Sequence, residues 1–444
     1  MRTEKDSLGW VELAEETPWG INTERARRNF ALGGRLTAPE LIKAMVTVKK
    51  AAALTYHHMG VRPDGAYLEA AAVCDELIKG EHADAFVTEA LQGGAGTSAN
   101  MNVNEVICNL TLKRMGRAFG DYAFLHPIDD INRGQSTNDV YPTALRIAAI
   151  LMLRGLSSEC AALQEALQKK EAEYGDIKKL GRTELMDAVP ITLGEEFGAY
   201  AQAIARDRWR LYKIEERLRQ VNLGGTAVGT SAGADRQYRC GVIEELRRLT
   251  GIGLAAAEYP LDITQNNDVF VEVSGLLKAL AVNLEKISGD LRLMNSGPHG
   301  GLGEIRLKPV QQGSSIMPGK INPVIPEMTA QCAMRVCAND FAITMAAARG
   351  EFELNAFFPL IADSLLESLR LLTACVKIFR ESCIQPLHAD RQRCLELLNG
   401  SAAFGAEYIS ALGYDTVTRI IKENPPQKAK DELNRLLAVH RENK

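Results

Sequence analysis

With 444 residues, 46% of them hydrophobic and 24% charged, the chain can fill two or three domains or one large helical assembly, and its composition excludes disorder. A net charge of −4 with interspersed signs provides no basic face, so no nucleic-acid partner is expected. No uninterrupted apolar run reaches membrane-spanning length and Met1–Asp6 lack a signal-peptide core, so a cytoplasmic protein with no membrane partner is expected.

Nine cysteines are scattered singly with no CxxC, the pattern of inert thiols in a reducing compartment. The histidines form no HxH or HExxH pattern. His57 and His58 are adjacent, but consecutive helix positions do not share a face, so no metal site is expected.

In chain order, residues 1–36 mix Trp, Pro and Gly without periodicity and predict a loop-rich segment. Thr37-Ala-Pro-Glu40 reads as a capping box with Thr37 as N-cap, opening a helix through about His58. A second helix is expected near 65–79. Gly93-Gly-Ala-Gly96 breaks the pattern before Thr97–Glu105 enters another helix. Long helices follow at about 137–172, 193–219, 267–295, 323–348 and 359–380. In the third of these, Val269, Val273, Leu276, Leu280, Leu284, Ile287 and Leu291 recur at spacings of four and three, an apolar seam about 40 Å long. Beyond residue 395, Gly400, Gly405 and Gly413 separate short helices. The expected fold is all-α: a long antiparallel helical bundle (138–395) with a smaller N-terminal cap domain (1–137) and a small C-terminal helical domain (396–444). Seams of that length also predict an oligomer.

Two nucleotide-binding look-alikes fail. Gly94-Ala-Gly96-Thr-Ser-Ala99 has no strand before it, and Gly313…Gly319-Lys320 has the wrong glycine spacing for a phosphate loop, with Ile321 in place of the magnesium-binding hydroxyl. Four polar stretches remain: Gly96-Thr97-Ser98-Ala-Asn100-Met-Asn102, His126 to Asp139, Gly181-Arg-Thr183-Glu184-Leu-Met-Asp187, and Gly313-Ser314-Ser315-Ile-Met317-Pro-Gly-Lys320-Ile-Asn322-Pro-Val-Ile-Pro-Glu327. The first three are expected at or just before helix starts, where free N–H groups and the helix dipole favour anions. The fourth, framed by glycines and prolines and rich in donors, suits a closing lid over a carboxylate-bearing substrate.

The loop Gly313–Glu327 resembles the GSSxMPxKxN signature of the aspartase/class II fumarase superfamily, and residues 93–109, 126–143 and 181–197 resemble its other motifs in the same order. The resemblance spans roughly residues 8–423. It implies a homotetramer built as a multi-helix bundle, each active site shared by three subunits, acting without a cofactor on a small dicarboxylate. It further implies that Ser314 is the base of an elimination yielding fumarate. Thr97, Ser98, Ser136, Thr137, Asn138, Thr183, Ser315, Met317, Lys320 and Asn322 are expected to bind substrate. Members that hydrate fumarate carry His at the position of Glu184, and ammonia-eliminating members carry His or Gln. Glu184 departs from both, and a carboxylate there can pair with a substrate ammonium, with Glu327 close behind it. The expectation is elimination of ammonia from aspartate or a close amino-dicarboxylate; fumarate hydration and a non-catalytic structural relative are the alternatives.

Overall fold

The computed structural model describes residues 1–442. Its all-α class is as expected: helices dominate, and the sheets are two-stranded. The N-terminal segment departs from the loop expectation. Strands β1 (Arg2–Asp6) and β2 (Gly9–Leu13) form an antiparallel hairpin with Arg2 opposite Leu13. It is followed by helix α1 (Ile21–Asn29). Strands this short carry too few alternations to stand out, and here tertiary bonds hold them. Buried Arg2 donates to the carbonyls of Ala14, Glu15 and Thr17, and buried Glu105 accepts from the N–H groups of Gly20, Asn22 and Thr23 at the start of α1.

Helix α2 (Pro39–His58) begins where expected, but Thr37 does not cap it. The N-cap is Ala38, the Thr37 hydroxyl bonds the Thr88 carbonyl instead, and Glu40 pairs with Arg370 at 2.7 Å. Pro39 in the first turn suffices, since it lacks an N–H that would need a cap. Helices α3 (Ala66–Lys79) and α4 (Thr97–Arg114) follow. Then come α5 (Thr137–Glu173), strands β3 (Lys178–Thr183) and β4 (Met186–Thr192), α6 (Leu193–Leu218), β5 (Gln220–Val221) and α7 (Arg236–Thr250). After β6 (Ala255–Ala256) and α8 (Pro260–Gln265) the chain forms α9 (Asp268–Met294), β7 (Ile305–Arg306), α10 (Val324–Ala347), α11 (Phe358–Phe379) and β8 (His388–Ala389). Helices α12 (Arg391–Asn399), α13 (Ile409–Leu412), α14 (Tyr414–Glu423) and α15 (Pro426–Glu442) complete it.

The five long helices therefore stand within two residues of their expected bounds. The seam of α9 is rotated from the expected one: Phe270 and Leu277 are buried, whereas Val269 and Leu276 lie at its margin, with Val273, Leu280, Leu284, Ile287 and Leu291 unchanged. Aromatic Phe270 packs edge-on against Phe358 and wins the buried position over the smaller Val269. Helix α5 is long and apolar enough by length and composition to cross a membrane, which a search for uninterrupted runs passes over because Arg146 and Arg154 punctuate it. Its buried face, from Tyr141 through Leu156 to Leu167, is that of a core helix.

The chain forms two compact units. The first comprises Met1–Ser157, Arg210–Ala279 and Arg335–Leu372; in it Tyr56 stacks between Tyr67 and Tyr238, and Tyr141 and Phe270 both meet Phe358 edge-on. The second comprises Ser158–Trp209, Leu280–Met334 and Thr373–Lys444; it holds the β3–β4 hairpin, the loop 313–323 and a terminal helical cluster around Phe404, Val417, Ile420 and Leu433.

Candidate active site

The four polar stretches divide between the units, two in each. In the first unit the entry to α4 is a run of left-handed residues, Gly94 (φ 80°), Ala95 (φ 56°) and Gly96 (φ 96°). Gly96 is required twice over, because a Cβ there would sit 2.3 Å from the Tyr141 ring. The turn leaves Thr97 exposed, with its hydroxyl donating to the Gly94 carbonyl at 2.6 Å, and Ser98 half-buried.

The second stretch packs against α4 through amides. Asn100 donates from one Nδ2 to Thr137 Oγ1 at 3.1 Å and to Asn132 Oδ1 at 3.2 Å. Ser136 Oγ accepts from the Asn138 N–H at 3.2 Å. With those lone pairs engaged, the hydroxyl protons of Ser136 and Thr137 are left to donate to an anion. Asn138 is committed elsewhere: its Nδ2 donates to the Ala227 carbonyl at 2.7 Å and its own carbonyl accepts from Asn222. These bonds tie the start of α5 to the segments around Asn222 and Ala227.

Two charged groups support this turn: Asp139, which closes the polar stretch, and Lys49, which sequence did not single out. Asp139 is wholly buried and accepts from the N–H groups of Ser136, Gly224 and Thr226 at 2.9–3.0 Å. Burial pushes its carboxyl up to about 6 against the pull of those bonds. Lys49 of α2 donates to Asn132 Oδ1 at 2.8 Å and Gln135 Oε1 at 2.9 Å, and burial pulls its ammonium down to about 7. A lysine in Val48-Lys49-Lys50-Ala51, on a helix otherwise buried by small apolar residues, was the available signal.

In the second unit, the stretch 181–187 lies on a hairpin and not at a helix start, which corrects the sequence expectation. Thr183 pairs with Met186 across a two-residue turn, Glu184 (φ 54°) and Leu185 (φ 65°), and α6 starts only at Leu193. Two successive left-handed residues match the twist of the flanking strands, a turn normally signalled by Asn or Gly. Thr183 and Glu184 are exposed, and among the described residues their side chains have no hydrogen-bond or ion-pair partner. The strand below them is tied down: Arg182 Nη1 reaches both Glu304 oxygens at 3.0 and 3.1 Å, and Lys179 reaches Glu196 at 2.7 Å and Glu304 at 3.1 Å.

The loop after Gly313 folds on itself. Ser314 Oγ accepts from the N–H groups of Ile316 at 3.2 Å and Met317 at 3.0 Å. Asn322 donates to the Gly313 carbonyl at 2.8 Å, and a Cβ at Gly313 would meet the Lys320 carbonyl at 2.1 Å. Ser315, Met317 and Lys320 are exposed. Lys320, Asn322 and Glu327 line a cavity of about 800 Å³ with Arg292, Arg306 and Lys308. Its wall includes neither Ser314 nor Glu184, and no hydrogen bond or ion pair joins Glu184 to Ser314, Lys320 or Glu327. Thus the structure joins Asn100 of α4 to Thr137 in the first unit, and gathers Lys320, Asn322 and Glu327 around one cavity in the second. Among the described residues no three His, Cys, Asp or Glu side chains gather as a metal site.

This arrangement provides hydroxyl donors, an exposed cation and a serine oxygen held by two N–H groups, the equipment for binding carboxylates and moving a proton. A family model described as lyase matches residues 9–338. The aspartate ammonia-lyase of Pseudomonas aeruginosa is 44% identical over 424 residues, covering 95% of this chain and 90% of the relative. A solved Brucella melitensis structure, titled fumarate lyase:delta crystallin bound to cobalt, superposes with a TM-score of 0.94 at 41% identity, covering 99% of each chain. A class II fumarase from Schistosoma mansoni superposes with a TM-score of 0.93 at 28% identity, covering 98% of this chain and 95% of the other.

Proposed function

The chain belongs to the lyase family, and from that premise we propose that it is an aspartate ammonia-lyase, eliminating ammonia from L-aspartate to give fumarate. The observation that carries the mechanism is the pair of N–H bonds to Ser314 Oγ. A serine alkoxide is unstable in water, and two fixed donors are the means by which a protein lowers its cost.

In this reading the Ser314 alkoxide removes a proton from the carbon beside the side-chain carboxylate of aspartate. The electron pair left on that carbon spreads into the carboxylate, which becomes an enediolate-like dianion. Thr97, Ser98, Ser136, Thr137 and Ser315 hydrogen-bond it as the charge grows, while Asn138 holds their turn. Lys320, Asn322 and Thr183 hold the other carboxylate, and Met317 closes over the substrate. The pair then forms the double bond as the C–N bond breaks, and ammonia leaves with the electrons of that bond. Glu184 receives the departing amine, with Glu327 in support. The proton on Ser314 is released last and balances ammonia as ammonium. The two clusters complete one site when three protomers of a homotetramer each contribute a stretch, in a cytoplasmic enzyme that takes every step with its own side chains and backbone.

Following fumarate absorbance after adding aspartate, then malate, tests the reading. Fumarate from aspartate is expected. Fumarate from malate alone would make the protein a hydratase, and none from either would make it a structural relative.

A further inference from the structure

Glu304 is fully buried at the entrance to β7, seven residues after the cis Gly297-Pro298 bond and nine before Gly313. Its backbone is fixed on two sides. The N–H donates to the Met294 carbonyl at the end of α9 (2.8 Å), and the carbonyl accepts from the Asp390 N–H (2.9 Å) beside β8. Downstream, Ile305 and Arg306 pair with Ala389 and His388, and the Leu307 N–H donates to Asn295 Oδ1. Glu304 is therefore the rigid foot of the stem that enters the Ser314 loop.

Its side chain reaches the other way. Both oxygens take Arg182 Nη1, and Oε2 takes Lys179 Nζ, so the carboxylate grips β3 at two positions. Arg182 immediately precedes Thr183 and Glu184. Glu196 of α6 shares Lys179, which balances two cations with two carboxylates inside the unit, and Met294 Sδ completes the contacts of Lys179. Removing one partner of such a cluster strands a buried charge, so the arrangement is sharply defined in position.

We propose that Glu304 is a positioning residue that fixes the Thr183–Glu184 hairpin tip relative to the stem of the Ser314 loop within one protomer. Its functional consequence rests on the aspartate ammonia-lyase reading; the physical link does not. Glu304 touches no substrate. It acts through Arg182 on the residue that receives the amine and through β7 on the loop that carries the base. Sequence offered only a glutamate in Gly303-Glu304-Ile305, outside every motif.

Two measurements on the full-length protein test this. In hydrogen exchange, Glu304→Gln keeps the shape and loses the charge. Faster exchange is expected in both 182–187 and 305–313 with no change in 403–433. A rise in only one of the first two segments, or in neither, overturns the link whether or not aspartate is the substrate. In steady-state kinetics with aspartate, Glu304→Gln is expected to lower kcat about tenfold with KM within about threefold, and Glu304→Asp to recover part of it. Combined with Glu184→Gln, the loss should fall short of the product of the single losses. Effects that multiply would reduce Glu304 to a stabilising role. If wild type makes no fumarate from aspartate, the functional reading fails while the exchange result still decides the link. Should Glu304→Gln not fold, Arg182→Lys, which keeps the charge and loses the two-oxygen grip, answers the same two questions.

Discussion

The two clusters of functional side chains are built on opposite principles. In the first unit, groups of the 126–139 stretch are held from behind: Thr137 by Asn100, the Ser136 turn by Asp139, Asn132 by Lys49. In the second unit, Thr183, Glu184, Ser315 and Lys320 are exposed, and the loop bearing Ser314 bonds mainly to itself. The first is preorganised, which on the proposed reading lowers the cost of binding a dianion. The second has few bonds to lose if it moves, as the proposed closure over substrate requires.

The largest effect is expected from Ser314→Ala. Turnover of aspartate should fall by at least about a thousandfold, with succinate binding within a few-fold and the melting temperature unchanged, because the loop adds little to stability. Residual activity near wild type would remove Ser314 as base. Asp139→Asn breaks the other region. It sets an NH2 group against backbone N–H donors, and should cost about 2–3 kcal/mol of unfolding free energy by urea titration. An unchanged midpoint would show the first cluster to be less preorganised than its bonds imply. Lys320→Met should raise KM for aspartate about tenfold or more at constant stability; a lowered midpoint with unchanged KM would reverse the contrast.

Lys49 sharpens the contrast through pH. Its ammonium is pulled from 10.5 in the unfolded chain down to about 7 in the folded one. Between those values the unfolded chain binds more protons, so folding stability rises with pH, by up to about 1.4 kcal/mol per pH unit. Unfolding free energies at pH 7, 8 and 9 should show that rise in wild type and not in Lys49→Met; parallel curves would contradict it. The smallest effect is assigned to Glu184→Gln, which should retain ammonia elimination within about tenfold, as a hydrogen-bonding role predicts. Complete loss would instead require Glu184 to transfer a proton.

What the sequence disclosed follows the same divide. Long-range periodicity placed the five long helices, because one apolar face repeated over twenty or more residues leaves little choice. The motif residues were legible as donor-rich stretches near glycines. The supports behind them were not. Lys49 and Glu304 are polar groups whose partners lie far away in sequence, and nothing local distinguishes a buried, satisfied lysine from a solvated one. The hairpin at 178–192 was missed because its turn uses Glu184 and Leu185 with left-handed backbones, where Gly or Asn would have announced it. Thr37 looked like a cap because capping boxes are read from spacing alone, and a tertiary bond to Thr88 outcompeted the local one.

The donors to Ser314 Oγ come from residues two and three positions further along the same loop. The two hydrogen bonds to that oxygen are therefore encoded within a single short segment of gene, and on the proposed reading they ease formation of its alkoxide. On the proposed reading, recombination or drift that rewrites the hairpin tip changes the partner of the departing amine and leaves those two donors in place. A departure such as Glu184 is the kind of variation that such a division of labour lets a lineage survive.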